Sequence, residues 1–250
     1  KTAYEIVSRD WSSDVCSSDL SGIHEVFVYT PDHDGGLHLA SDDDLGEMMM
    51  LLKRRLQQHA ATPNVRYTQA IINHGREAGA SLAHPHGQLL GLPFVPGELL
   101  DEQRAFTRFE GGCILCATVE AELVDGKRVV HATDDAVTVS PYWAGTPCEL
   151  LIIPRNHDLH ITDSSDDTLQ AVGIAIRDAL IALRELHGDV AYNLVFHTAP
   201  HHYGGAFHWH VHLFPKLVTT AGFERGTGVM INIVPPEQAA EQLRRVAVEA

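Results

Sequence analysis

One polar pattern occurs twice in this chain, 124 positions apart, and that repeat constrains the fold more than any other feature. His84, His86 and Gln88, within Ser81-Leu82-Ala83-His84-Pro85-His86-Gly87-Gln88, return as His208, His210 and His212. In an extended segment, residues two apart face the same side, so each trio points into one site. The correspondence reaches further. The stretch Glu25 to His33 returns as Glu149 to His157, and Ser41 with its following aspartates returns at Ser165. Tyr67 pairs with Tyr192 with one residue of slack. Agreement at a strand, a helix cap and a site implies duplication. The expected architecture is α+β: two tandem units, each an antiparallel meander of strands with one long helix.

Local signals support that outline. Glu25 to Thr30 is β-branched and aromatic and predicts a buried strand ending in Pro31-Asp32-His33. Ser41 and three aspartates predict a capped helix to about His59, with Lys53, Arg54 and Arg55 in its second half. Tyr67 to Ile72 and His84 to Leu92 read as strands, and Ser165 caps a helix reaching about His187. Gly222 to Ile233 predicts a further strand pair, and Pro235-Pro236-Glu237 opens a terminal helix. The units are expected at residues 21–108 and 109–250. Residues 1–20 stand apart: the run from Arg9 to Leu20 has neither periodicity and resembles a translated sequencing adaptor. A natural Ser/Asp-rich loop is the alternative. Cys16, inside that run, carries no meaning in this reading.

Charge and apolar content narrow the function. A formal net charge of −15 disfavours non-specific binding to nucleic acid or an anionic membrane. It also means that any phosphate site relies on local donors. Apolar residues make up 44% of the chain, enough to bury a core, and no run approaches the ~20 residues that span a bilayer. The expected compartment is the cytoplasm. There the spacing Cys113-x-x-Cys116 favours a metal over a disulfide.

Two cysteines at that spacing form the usual knuckle for half of a zinc site. The repeat nominates His157 and His208 for the other half. By the same logic His33 and His84 are half of a first site whose thiolates are missing. His197, His210 and His212, with Glu102, could form a separate nitrogen-and-carboxylate site of the type that holds iron or zinc. His74, His131, His187, His201 and His202 are read as solvated polar residues.

The first copy is a candidate for the chemistry. A neutral imidazole with an ordinary pKa near ~6.5 is a nucleophile at neutral pH without activation, so His86 can attack a phosphorus. Its second ring nitrogen needs an acceptor, such as a backbone carbonyl, to set the tautomer. Gln88 can donate to a phosphoryl oxygen but cannot act as an acid, which favours transfer over hydrolysis. Gly87 is expected to let a substrate approach the backbone closely.

His84-Pro85-His86-Gly87-Gln88, preceded by Asn73, Gly79 and Ser81, resembles the active-site strand of the galactose-1-phosphate uridylyltransferase family. Thr30-Pro31-Asp32-His33 resembles its metal-ligand turn, and Ala221 to Gly228 its late substrate-binding segment. The family belongs to the histidine-triad superfamily and is built of two such units. The resemblance implies that His86 takes a nucleotidyl group from a nucleoside diphosphate sugar and passes it to a hexose-1-phosphate. It further implies that Gln88 and Ser81 hold phosphoryl oxygens, Asn73 the phosphate or nucleotide, and Phe223 and Glu224 the sugar. His84 would orient His86 and ligate zinc. Cys113, Cys116, His157 and His208 match the second zinc site of the branch that includes ADP-glucose phosphorylases. A homodimer is implied as well. The family's first C-x-x-C has no counterpart here, so the chain reads as N-terminally truncated. Alternatives are a phosphorylase or hydrolase of ADP-glucose or a dinucleoside polyphosphate, and a non-catalytic zinc-stabilised nucleotide-binding module.

Overall fold

Residues 6–10 and 22–249 are described in the computed structural model. In chain order the strands and helices are β1 (Ile6–Asp10), β2 (Ile23–Val28), α1 (Asp42–Ala60), β3 (Tyr67–His74), β4 (His86–Leu92), α2 (Gly97–Arg108), α3 (Ile114–Asp125), β5 (Val129–Ala132), β6 (Ala136–Val139), β7 (Leu150–Pro154), α4 (Asp166–His187), β8 (Tyr192–His197), β9 (His210–Pro215), α5 (Gly222–Thr227) and α6 (Pro236–Glu249). Ile6–Asp10, set aside with residues 1–20 in the sequence, is a strand paired with β2. The rest of that segment, Cys16 included, lies outside the described residues.

All these strands join one antiparallel sheet in the order β1-β2-β4-β3-β8-β9-β7-β6-β5. The two expected units are therefore halves of a single sheet, zipped together where β3 pairs with β8 from Ala70↔Phe196 to His74↔Tyr192. Pairing the two inner strands leaves neither half with an exposed edge at the seam. The long helices α1 and α4 pack against each other on one face, with α6 against α4. Their apolar stripes meet Phe27, Ala70, Ile72, Leu89, Leu194, Phe196, Val211 and Leu213 in the main core. Both helices start as expected. Ser41 Oγ accepts from Asp44 N at 3.2 Å, and Ser165 Oγ accepts from Thr168 N at 3.1 Å, each satisfying a first-turn amide. The opposite face is covered over the C-terminal half by α2 and α3, whose Leu99, Phe106, Leu115 and Val119 pack on Val137, Val139, Leu151 and Ile153.

Three expectations change. Gly222 to Ile233 is not a strand pair. Glu224 Oε2 accepts from Ala221 N at 3.0 Å and starts the short helix α5, which stops at Gly228 with φ +72°. Among the described residues, the apolar residues beyond it pair with no strand. Instead Asn232 Nδ2 donates to the carbonyls of Ala144 and Thr146 at 3.1 Å. The repeat spacing also shifts. Ala70 and Leu194 both sit opposite the same position of the inner hairpin (Leu89 and Leu213), so β3 and β8 correspond at 124. Tyr67 lies in the second core and Tyr192 in the main one, so their match at 125 is a coincidence on opposite faces. The one-residue slack belongs to β2 and β7, where Phe27 pairs with Gly87 as Ile152 pairs with Val211. Finally, Gly87 does not face a substrate. A Cβ there would sit 2.2 Å from the Phe27 ring, so glycine is required by the core.

Candidate active site and metal centres

Side chains of β4 alternate across the sheet. Leu89 enters the main core, while His86 and Gln88 take the other face, which α2 and α3 leave uncovered in this half. His86 is 5% exposed at the start of the strand. Its Nδ1 bonds the His84 carbonyl at 2.9 Å. A carbonyl only accepts, so Nδ1 carries the proton and Nε2 keeps its lone pair. His86 lines a cleft of about 640 Å³ together with Tyr29, Asn73, Ser81, His84 and Asp189. Asn73 is held by Asn193, whose Nδ2 donates to Asn73 Oδ1 at 2.7 Å and to the Ala78 carbonyl at 2.8 Å. Asn193 was missed in the sequence, because a lone asparagine on a strand carries no motif. Gln88 Oε1 accepts from His24 Nε2 at 2.9 Å. Phe223 and Glu224 are on α5 and do not line this cleft; Glu224 is engaged in capping its own helix.

The second copy reproduces this backbone arrangement. His210 Nδ1 bonds the His208 carbonyl at 2.9 Å, as His86 does with His84. The ligand candidates are matched too: His84 Nε2 donates to the Thr30 carbonyl at 2.9 Å, and His208 Nε2 donates to the Pro154 carbonyl at 3.0 Å. In both, Nδ1 is left with a lone pair.

Around His208 those lone pairs have company. Ligand atoms of Cys113, Cys116, His157 and His208 lie within 4.8 Å of one another. Cys113 precedes α3 and Cys116 sits in its first turn, so one turn presents both sulfurs. Both sulfurs are 3.5 Å from His208 Nδ1, and Cys116 Sγ is 3.5 Å from His157 Nδ1. Tetrahedral zinc with bonds of roughly 2.1–2.3 Å separates its ligands by about 3.4–3.8 Å, so the residues fit. Burial, then the neighbouring Cys113, pushes the Cys116 thiol up to about 12, and burial, then His157, pushes His208 down to about 4. A neutral imidazole is ready to ligate; a buried thiol ionises to ligate only with a cation beside it. Among the described residues the corresponding half-site holds His33 and His84, with their Nδ1 atoms 3.1 Å apart.

A second cluster brings together Glu102, His197, His210 and His212. Glu102, on α2, takes a bond from His197 Nδ1 at 2.8 Å. Burial alone would raise the Glu102 carboxyl, but this bond outweighs it and holds the group below the usual range. Burial, then His197, holds His210 down to about 4; burial, then His210, holds His212 well below its ordinary value. Two buried atoms, Glu102 Oε2 and His212 Nδ1, have no hydrogen-bond partner among the described residues. Two neutral imidazoles meeting Nε2 to Nε2 at 3.1 Å beside a half-satisfied carboxylate suit a cation.

The remaining histidines are not simply solvated. His74 stacks on Tyr192 and pairs with Asp189, His187 Nε2 lies 3.4 Å from Cys148 Sγ, and His201 bonds the buried Thr68 hydroxyl at 2.8 Å. His202 donates to the Ala60 carbonyl at 3.0 Å; His131 alone of the five is an exposed side chain without such a contact.

Comparison with known proteins puts this geometry in context. The chain is 31% identical over 234 residues to ADP-glucose phosphorylase of Arabidopsis thaliana, covering 91% of this chain and 65% of that protein. It is 32% identical over 244 residues to galactose-1-phosphate uridylyltransferase of Thermotoga maritima, covering 91% and 75%. The chain thus spans just under two thirds of the first relative and three quarters of the second. A crystal structure of the Arabidopsis thaliana ADP-glucose phosphorylase with bound ADP-glucose superposes with a TM-score of 0.82 at 30% identity, covering 89% of this chain and 73% of that one. A uridylyltransferase mutant superposes at 0.85 with 26% identity, covering 91% and 77%. Residues 13–96 match the N-terminal domain, and residues 99–249 the C-terminal domain, of galactose-1-phosphate uridyl transferase. Matched by both domains in order, the chain belongs to the galactose-1-phosphate uridyl transferase family.

Proposed function

We propose that this chain moves a nucleotidyl group from a nucleoside diphosphate hexose, UDP-glucose in the leading reading, to a hexose-1-phosphate such as galactose-1-phosphate. The reaction passes through a nucleotidyl-histidine on His86. The observation that carries this reading is the 2.9 Å bond from His86 Nδ1 to the His84 carbonyl, which leaves a lone pair on Nε2 in a residue lining the cleft. Nε2 attacks the α-phosphorus; an N–P bond forms as the P–O bond to the departing hexose-1-phosphate breaks. The departing group keeps the electron pair as a phosphate anion and requires no acid. The ring becomes cationic, and the His84 carbonyl stabilises the Nδ1 proton it keeps. A phosphate oxygen of the second sugar phosphate then attacks phosphorus and expels neutral His86.

Gln88 and Ser81 donate to phosphoryl oxygens, and Asn73 holds the phosphate or nucleotide. Phe223 and Glu224 meet the sugar. Since they lie outside the cleft of one chain, the reading includes a homodimer in which a second copy contributes them. Zinc held by Cys113, Cys116, His157 and His208 supports the C-terminal half, and a reduced compartment such as the cytoplasm keeps those sulfurs available. Among the described residues no helix is long and apolar enough to cross a membrane.

The likeness to a plant ADP-glucose phosphorylase favours a second reading, in which adenylyl replaces uridylyl and inorganic phosphate is the acceptor. Intact mass after incubation with UDP-glucose or ADP-glucose separates the two. A gain of one uridylyl group, absent in His86→Ala, supports the first; adenylyl supports the second. No adduct with either sugar nucleotide overturns both and leaves a nucleotide-binding module.

A further inference from the structure

We infer that His24, on the strand beside the catalytic one, is a positioning residue that decides which end of the Gln88 amide faces the reacting phosphoryl group. The inference rests on the proposed nucleotidyl transfer through His86. A glutamine amide has two ends of nearly equal shape and opposite chemistry: the oxygen accepts and the NH2 donates. Phosphoryl oxygens only accept, so Gln88 assists only when its NH2 faces them; flipped by 180°, it presents an oxygen and repels them. Its cross-strand neighbours are hydrocarbon, Val26 on β2 and Ile71 on β3, and neither has a side chain that prefers one end over the other. Among the described residues its polar partner is His24, whose Nε2 lies 2.9 Å from Gln88 Oε1. His24 sits opposite Leu90 on β2, one diagonal step from Gln88 and on the same face. An amide oxygen cannot donate, so His24 Nε2 carries the proton, Oε1 is tethered to β2, and the NH2 end of Gln88 is left to donate to substrate. His24 never needs to touch the substrate. It acts by removing the wrong amide rotamer before substrate arrives, which is preorganisation of a donor.

A double-mutant cycle on the rate of adduct formation tests this, with His24→Leu, Gln88→Ala and the double variant compared in single turnovers of the whole chain. His24→Leu should slow adduct formation about tenfold, the effect of roughly one hydrogen bond's free energy, with half-saturation by the sugar nucleotide changed less than about twofold. In the Gln88→Ala background the same substitution should change the rate by less than about twofold. His24→Gln, which can offer an N–H to Oε1, should recover most of the loss. The 15N resonances of His24 in the wild type should report a proton on Nε2. Equal slowing by His24→Leu in both backgrounds, or failure of His24→Gln to recover the rate while the melting temperature is unchanged, overturns the positioning role. A wild type that forms no adduct fails the transferase reading itself, and is told apart because the cycle then has no rate to compare. In that case a His24 carrying its proton on Nδ1 would overturn the tether independently.

Discussion

At the scale of single residues, two side chains share one bonding pattern in different surroundings. His84 and His208 both spend Nε2 on a backbone carbonyl and keep Nδ1 as a lone pair, but among the described residues only His208 has sulfurs within reach. Substituting Cys113→Ser should therefore remove about one equivalent of bound zinc on elemental analysis, together with a lowered melting temperature. Equal zinc in variant and wild type defeats the ligand assignment. Gly87 makes a different point. Its position in a histidine-rich motif suggests substrate, whereas the ring of Phe27 fills the space where a side chain would stand. Gly87→Ala should cost about 1–3 kcal/mol of stability through overpacking, read as a lower denaturant midpoint. An unchanged midpoint would mean that Phe27 swings aside freely.

At the scale of elements, the helices were legible because their caps and stripes are local. Ser41 and Ser165 each satisfy the amide three residues on, and α1 and α4 begin at the next residue in both cases. Ser165→Ala should cost about 1 kcal/mol, measurable by urea unfolding, since the hydroxyl also lies 2.9 Å from the buried Thr168 hydroxyl and removing it leaves two groups short. Strands were less legible. The second half of Gly222–Ile233 has the composition of a strand, but a strand exists only where another offers an edge, and composition does not say whether one is free. Helices α2 and α3 went unread for a related reason: they cover one half of one sheet face, and that half-cover exists only after the sheet has formed. Glu102 is on α2, so its arrival beside His197, His210 and His212 follows from packing and from no local pattern.

At the scale of the whole molecule, two histidines that bond one buried β3 hydroxyl link folding to pH through their neutrality. His59 and His201, joined through Thr68, are both held below their ordinary values by burial, His201 to about 4. Coulombic contributions from Glu25 and Arg55 at His59, and from His59, His160 and His202 at His201, act alongside. The unfolded chain binds protons near ~6.5, before the folded one does, so this stability is complete above that pH and is lost as pH falls toward 4. The melting temperature of metal-free protein should fall between pH 7 and 5, and His201→Asn should flatten that slope. An unaltered slope in the variant would assign the acid sensitivity elsewhere.

The sequence by itself determined the duplication, the two capped helices, the histidine pair with its glutamine, and the Cys113–Cys116 knuckle, because spacing and caps act over short range. Only the tertiary structure decided that the two halves share one sheet, that the slack in the repeat lies in β2 and β7, and what the two copies hold. With strands aligned by their pairing, Asn73, His86 and Gln88 occupy the positions of His197, His210 and His212. Asn73 and His86 of the first trio line an open cleft, and the second trio is closed under α2 with Glu102. The physical reason is that a strand sets which side chains share a face, whereas the layer packed above that face sets whether they meet solvent, substrate or a buried carboxylate.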